Sequence, residues 1–153
     1  KMCFIGDGNN MANSLIVGGL KVGMNVAVAT PDGYKPDGAV LEFTKGYGDK
    51  FALETDPFMA ASGADILITD TWTSMGEEAE KEERKKIFND YQINRQLLAA
   101  ANAGAMVQHC LPAYRGQEIT EEVFEEHADE IFNEAENRLH AQKAVMVKLM
   151  KKD

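Results

Sequence analysis

The chain has 153 residues, 44% hydrophobic and 27% charged, and sixteen basic against twenty-five acidic side chains leave a net charge of -9. This composition fits one ordinary globular domain and excludes fibrous and disordered classes, while the negative charge argues against a nucleic-acid partner, the runs at 81–86 and 148–152 reading as solvated helix faces. No apolar stretch approaches the roughly 20 residues that span a bilayer, so no membrane partner is expected.

The chain opens with Lys1-Met2-Cys3-Phe4-Ile5, which passes straight into a strand and a glycine turn. Such an opening lacks the apolar region of a signal peptide and suggests that upstream sequence has been cut away. After Asp7-Gly8-Asn9-Asn10, the spacing of Met11, Leu15, Ile16 and Leu20 predicts a helix. Residues 25–30 (NVAVAT) form a second buried strand ending at the turn Pro31-Asp32-Gly33. A second helix is expected over 36–45, a short alternating strand over 51–55, and a short helix over 57–62, where Asp56 caps and Pro57 initiates.

Residues 64–70 form an apolar strand, 71–76 a loop, and 77–91 an exposed helix with Ile87 and Phe88 on one side. A more buried helix follows over 94–101, stopped by Gly104, and then a strand over 105–109. Thr120 starts a helix, Glu130-Ile131-Phe132 reads as a last short strand, and 135–150 as a long helix. The alternation predicts an α/β fold, a doubly wound and mostly parallel Rossmann-like sheet with helices on both faces. Two cysteines point to a reducing, cytoplasmic compartment without disulfides, and three isolated histidines lack metal-ligand spacing.

Ligands in such sheets collect at the carboxyl ends of the strands, where three polar clusters fall: 7–10, 70–76 and 109–112. The first begins like a dinucleotide fingerprint, but Met11 stands where glycine or alanine is required and Asp7 would face a pyrophosphate. It is either a plain turn or a place where the amides of Asn9 and Asn10 hold a carboxylate or amine. The second cluster, DTWTSMG, suits a cationic amine, the simpler reading being a helix cap at Ser74 with Trp72 packed. In the third, His109 and Cys110 point to opposite faces of a strand, which weakens a Cys-His nucleophile relative to an orienting role.

The segments FIGDGNNMANSL, TDTWTSMGEEAEKEERKKIFNDYQIN, HCLPAYRGQEIT and EAENRLHAQKAVM, in that order, resemble ornithine carbamoyltransferases. The resemblance covers the whole chain and is most specific in the SMG loop and the HCLP strand end, which separate the ornithine enzymes from their aspartate-using relatives. It implies that residues 1–153 are the ornithine-binding domain, and that the carbamoyl phosphate-binding domain, with its Ser-x-Arg-Thr motif, lies outside the chain. It implies that Asn10, assisted by Asn9, together with Asp70, Ser74 and Met75 binds the amino and carboxylate groups of L-ornithine. It also implies that His109, Cys110 and Leu111 meet the carbamoyl group and reacting amine, and that Arg138 reaches carbamoyl phosphate.

The activity so implied is carbamoyl transfer from carbamoyl phosphate to L-ornithine, giving L-citrulline and phosphate without metal or organic cofactor, with Asp70 and Cys110 as the catalytic pair. The intact enzyme would be a trimer-based homo-oligomer, and the fragment alone inactive. Residues 77–84 with the SMG segment would form a mobile lid. The final helix would carry an apolar face left partly unpaired. Two alternatives stay open: a carbamoyltransferase for putrescine or an acylated ornithine, and a stand-alone Rossmann-type nucleotide-binding module.

Overall fold

The computed structural model describes residues 1–73 and 78–151. Five strands, β1 (Met2–Ile5), β2 (Val26–Ala29), β3 (Phe51–Glu54), β4 (Ile66–Thr69) and β5 (Met106–His109), form one parallel sheet in the order β3-β2-β1-β4-β5. β1 and β2 are buried along their whole length, as expected of parallel strands covered on both faces. Alternation along β1 sends Cys3 and Ile5 into one core layer with Leu67, Val107 and Ile131, and Met2 and Phe4 into the other with Ile16, Leu20 and Val28.

The helices are α1 (Asn10–Lys21), α2 (Gly38–Thr44), α3 (Pro57–Ala61), α4 (Lys81–Ile87), α5 (Arg95–Ala100), α6 (Glu121–Glu126) and α7 (Ala128–Met150). Their starts follow local chemistry. Asn9, Asp37, Asp56, Asn94 and Thr120 each accept a backbone N–H of the first turn, and Pro57 sits where a missing donor costs nothing. Among the described residues no helix is long and apolar enough to cross a membrane.

Two expectations need correction. Glu130-Ile131-Phe132 is not a strand but lies within the first turns of α7, which starts at Ala128 rather than at residue 135. Helical spacing buries Ile131 completely and sets Phe132 edge-on against Phe124, so the short apolar run belongs to a helix face. What a sixth strand would have given β5 comes from a side chain: Glu130 Oε2 accepts the Val107 N–H at 2.9 Å. The helix expected over 77–91 is also interrupted, α4 being flanked by short 3-10 turns at Glu78–Glu80 and Asn89–Tyr91.

Strand order reverses about β1, and the register aligns the carboxyl ends there. Ile5 pairs with Thr69, and Thr69 with His109. The loops after β1, β4 and β5 therefore leave the sheet side by side, at the switch point where α/β sheets hold ligands.

Candidate active site

At that edge lies a crevice of about 450 Å³ whose walls include Asn10, Asp70, His109, Cys110, Leu111 and Arg138, as well as Thr71, Thr73, Tyr114 and Glu134. Described members of the three polar clusters, Asn10 of the first, Asp70, Thr71 and Thr73 of the second and 109–112 of the third, thus meet in one place. Ser74 and Met75 fall outside the described residues.

Asn9 sits beneath the crevice rather than in its wall. Its Oδ1 caps α1 by accepting from Met11 N at 2.9 Å and Ala12 N at 3.3 Å, while its buried Nδ2 makes no hydrogen bond of ordinary geometry but helps stabilise the Asp70 carboxylate. The preceding glycine has a packing cause: a Cβ on Gly8 would lie 2.4 Å from the backbone of Tyr34, Lys35 and Pro36, and its N–H donates to the Tyr34 carbonyl at 2.8 Å. The Gly-x-Gly spacing is accounted for by this close approach of two chain segments, without a dinucleotide.

Asp70 follows β4, half-buried, with Oδ1 accepting from the Thr71 N–H at 2.9 Å. Burial raises its carboxyl above the usual value, and the Thr71 amide, His109 and Asn9 pull it back down. Cys110, the residue after β5, has its thiol pushed up to about 12, first by burial and then by the negative charges of Asp70 and Glu134. At neutral pH it is a thiol, not a thiolate.

The His109 side chain is fully buried and both ring nitrogens are engaged. Nε2 lies 3.0 Å from Glu118 Oε1, and Nδ1 accepts the Leu111 N–H at 2.9 Å. Glu118 Oε1 also accepts from the Tyr114 N–H at 2.5 Å, so one buried carboxylate ties both ends of the loop after β5. Leu111 is held at φ 50, a left-handed conformation that side chains avoid and that costs about 1–3 kcal/mol. With its N–H committed to His109, Leu111 has its carbonyl to offer a ligand.

Arg84, expected on an exposed lid helix, is buried. It pairs with Asp7, donates Nε to the Trp72 carbonyl at 2.5 Å, and lies over the rings of Tyr34 and Phe88. It joins the loop after β1 to the loop after β4, so the lid expected over 77–84 is anchored at its far end, and residues 74–77 lie outside the described part. Trp72 is packed against Phe88, the plainer of its two readings.

Sequence reasoning missed Glu118, Glu134 and Arg84. The first two carried a signal: Glu118 adjoins the apolar Ile119, and Glu134 stands four residues before Arg138, hence on the same helix face. Among the described residues no group of three His, Cys, Asp or Glu side chains is arranged to hold a metal.

The chain matches the family model described as aspartate/ornithine carbamoyltransferase, Asp/Orn binding domain, over residues 1–149. It is 55% identical over 154 aligned residues to an ornithine carbamoyltransferase of Gloeobacter violaceus, covering 98% of this chain and 49% of that protein. It is 51% identical to one of Methanosarcina mazei, covering 99% and 50%. Among solved structures, the anabolic ornithine carbamoyltransferase of Campylobacter jejuni superposes with a TM-score of 0.92 at 45% identity over 97% of this chain and 50% of that one. The enzyme of Gloeobacter violaceus superposes with a TM-score of 0.85 at 50% identity, covering 98% and 51%. The chain thus spans about half the length of the relatives it matches, and it belongs to the aspartate/ornithine carbamoyltransferase family as its Asp/Orn binding domain.

Proposed function

We propose that this chain is the ornithine-binding half of an enzyme that transfers a carbamoyl group from carbamoyl phosphate to L-ornithine, giving L-citrulline and phosphate. The observation that carries the choice of ornithine over aspartate is the charge of the crevice. Among the described residues of its wall, Asp70 and Glu134 carry negative charge and Arg138, at the exposed mouth, is the one cation. Such a wall attracts an ammonium and repels a second carboxylate.

In this reading Asn10, Asp70, Ser74 and Met75 hold the amino acid, with Asn9 fixing the first turn of α1 beneath it. The reacting amine is protonated at neutral pH and must lose a proton to attack. Asp70 takes that proton, the amine nitrogen bonds to the carbamoyl carbon, the carbon–oxygen bond to phosphate breaks with its electron pair leaving on phosphate, and the second proton shed by the nitrogen passes to that phosphate. Cys110, kept neutral, serves as an S–H donor to the carbamoyl group, while the Leu111 carbonyl orients the amine. His109 acts through its ring on the Leu111 N–H rather than by touching substrate. Arg138 meets the departing phosphate.

Carbamoyl phosphate is held mainly by a second domain outside this chain, in keeping with the half-length match to the relatives. The fragment alone is therefore inactive, and the intact enzyme a trimer-based homo-oligomer. The two free thiols, Cys3 and Cys110, suit a reducing cytoplasm.

Titrating the isotopically labelled chain with L-ornithine and with L-aspartate, while following the amide resonances of Asn10, Asp70 and Cys110, tests the reading. Ornithine should move these resonances and aspartate should not. Equal responses, or none to ornithine, would overturn it. Adding a separately produced carbamoyl phosphate domain should then restore citrulline formation.

A further inference from the structure

An alkylammonium brings three N–H donors, and each needs an acceptor once it leaves water. On the ornithine reading, Asp70 supplies one acceptor in the crevice and the Leu111 carbonyl a second. The neutral Cys110 thiol is only a weak third. The crevice nevertheless contains another strong acceptor to which no role has been given.

Glu134 lies on α7, half-buried, one helical turn before Arg138 and in the wall of the same crevice. Its Oε2 is buried and has no hydrogen-bond partner of ordinary geometry. Glu130, one turn earlier on the same helix, shows what a purely structural carboxylate does there: its Oε2 accepts the Val107 N–H at 2.9 Å and lies 3.0 Å from His127 Nδ1. The His109 amide, two residues beyond Val107, helps stabilise the Glu134 carboxylate, but Oε2 itself is left without a partner of ordinary geometry. The two positions match because four helical residues rise about as far as two strand residues. The Cys110 thiol, in the wall of the same crevice, feels the negative charge of both Asp70 and Glu134 and, in the opposite sense, the charge of Arg138. A buried carboxylate with unfilled hydrogen-bonding capacity is costly to keep, and a cationic ligand would remove that cost.

We propose that Glu134 is a substrate-binding residue which, together with Asp70, receives the side-chain ammonium of ornithine and holds it beside Cys110 until its proton is lost. This rests on the ornithine reading of the crevice and adds the group that distinguishes a diamino acid from one with an uncharged side chain. Arg138, one turn further out, is left to the phosphate.

Comparing L-ornithine with L-norvaline, the same carbon skeleton without the terminal amine, isolates this contact. Binding of both to the chain and to Glu134→Gln is measured by calorimetry or amide shifts. Glutamine keeps an oxygen for the His109 amide and removes only the charge. The variant should weaken ornithine by about tenfold or more, as expected for loss of one charge-assisted hydrogen bond, and leave norvaline within about twofold. Equal weakening of both ligands, or of neither, would overturn the role of Glu134, as would a wild-type chain that binds the two equally well. If Glu134→Gln does not fold, Glu134→Asp, which retracts the carboxylate by one methylene, replaces it. Selective loss of ornithine again supports the contact, and unchanged selectivity overturns it. A wild-type chain that binds neither ligand in the crevice would instead remove the ornithine reading itself.

Discussion

Glu118 and His109 meet with neither side chain exposed, Glu118 Oε1 lying 3.0 Å from His109 Nε2. A carboxylate so placed makes Nε2 the protonated ring nitrogen, which leaves Nδ1 to accept the Leu111 N–H. The turn that presents Cys110 and Leu111 to the crevice is thus held from within the protein, by a residue that does not reach the crevice.

Removing the Glu118 carboxylate should loosen that turn. In Glu118→Ala the His109 and Tyr114 N–H groups lose their acceptor, and each buried donor left unsatisfied costs about 1–3 kcal/mol. Urea unfolding should show a loss of about 2–4 kcal/mol, with less than half of that in Glu118→Gln, which keeps the oxygen. A loss below about 1 kcal/mol in the alanine variant would mean that other contacts hold the loop.

The Arg84–Asp7 pair couples the first and second loops of the crevice, and its side chains are only 5% and 13% exposed. Breaking a buried pair from one side costs about 3–5 kcal/mol because the other charge is stranded. Arg84→Met should approach this figure. Asp7→Asn in the same chain should recover part of it, giving a coupling of about 1 kcal/mol or more in a double-mutant cycle. Additive effects would show that the two groups are energetically independent.

Burial of Asp70 sets its ionised form against folding. Its carboxyl is raised above 3.8 in the folded chain, chiefly by burial, so its contribution is fully present below pH 3.8 and is lost as pH rises through the folded value. At pH 7 the ionised group opposes folding. Asp70→Asn, whose amide oxygen still accepts from Thr71, should therefore be more stable than wild type at pH 7 while binding ornithine about tenfold or more weakly. Thermal unfolding and titration of one preparation check both halves. A variant that is less stable and binds as well as wild type would contradict both.

Cys110 should be a slow thiol. Its ionisation is pushed from 9.0 to about 12, so at pH 8 its thiolate population is about a thousandfold below that of free cysteine. Alkylation should lag accordingly, and the other cysteine, Cys3, is fully buried. Because the folded values of both thiols are raised to about 12, the stability they contribute is present below pH 9.0 and is lost as pH climbs toward 12. Rapid labelling at pH 8 would show that Cys110 is ionised and acts as a base.

Glu130 stands in for a sixth strand. Glu130→Ala leaves the Val107 N–H without its acceptor on the covered edge of β5 and should cost about 1–3 kcal/mol. Accelerated hydrogen exchange at Val107, compared with exchange at Leu67 on β4, would locate the effect. Unchanged protection at Val107 would assign the edge to packing alone.

Most of the fold is legible along the chain because its signals are local. Apolar runs of four residues mark β1 and β2 and one of three marks β4, and Asn9, Asp56 and Thr120 each cap a helix within three residues of themselves. The alternation of these elements is enough for a parallel doubly wound sheet, and that topology already sends residues 7–10, 70–73 and 109–111 to one edge. The meeting of Asp70, Cys110 and Leu111 in one crevice was readable for this reason.

Whatever depends on a distant partner was decided by tertiary structure. Ile131 begins no strand because Val107, twenty-four positions earlier, already has its acceptor in Glu130 and leaves no open ladder to join. Arg84 reads as one more charge on a solvated helix until the fold sets Asp7, seventy-seven residues away, against it. Nothing near His109 in the chain says what its ring meets until the fold sets Glu118 and the Leu111 amide against its two nitrogens. Hydrophobic period and capping are properties of a few adjacent residues, whereas the state of a buried charge is set by what surrounds it in space, and only the packed sheet determines those surroundings.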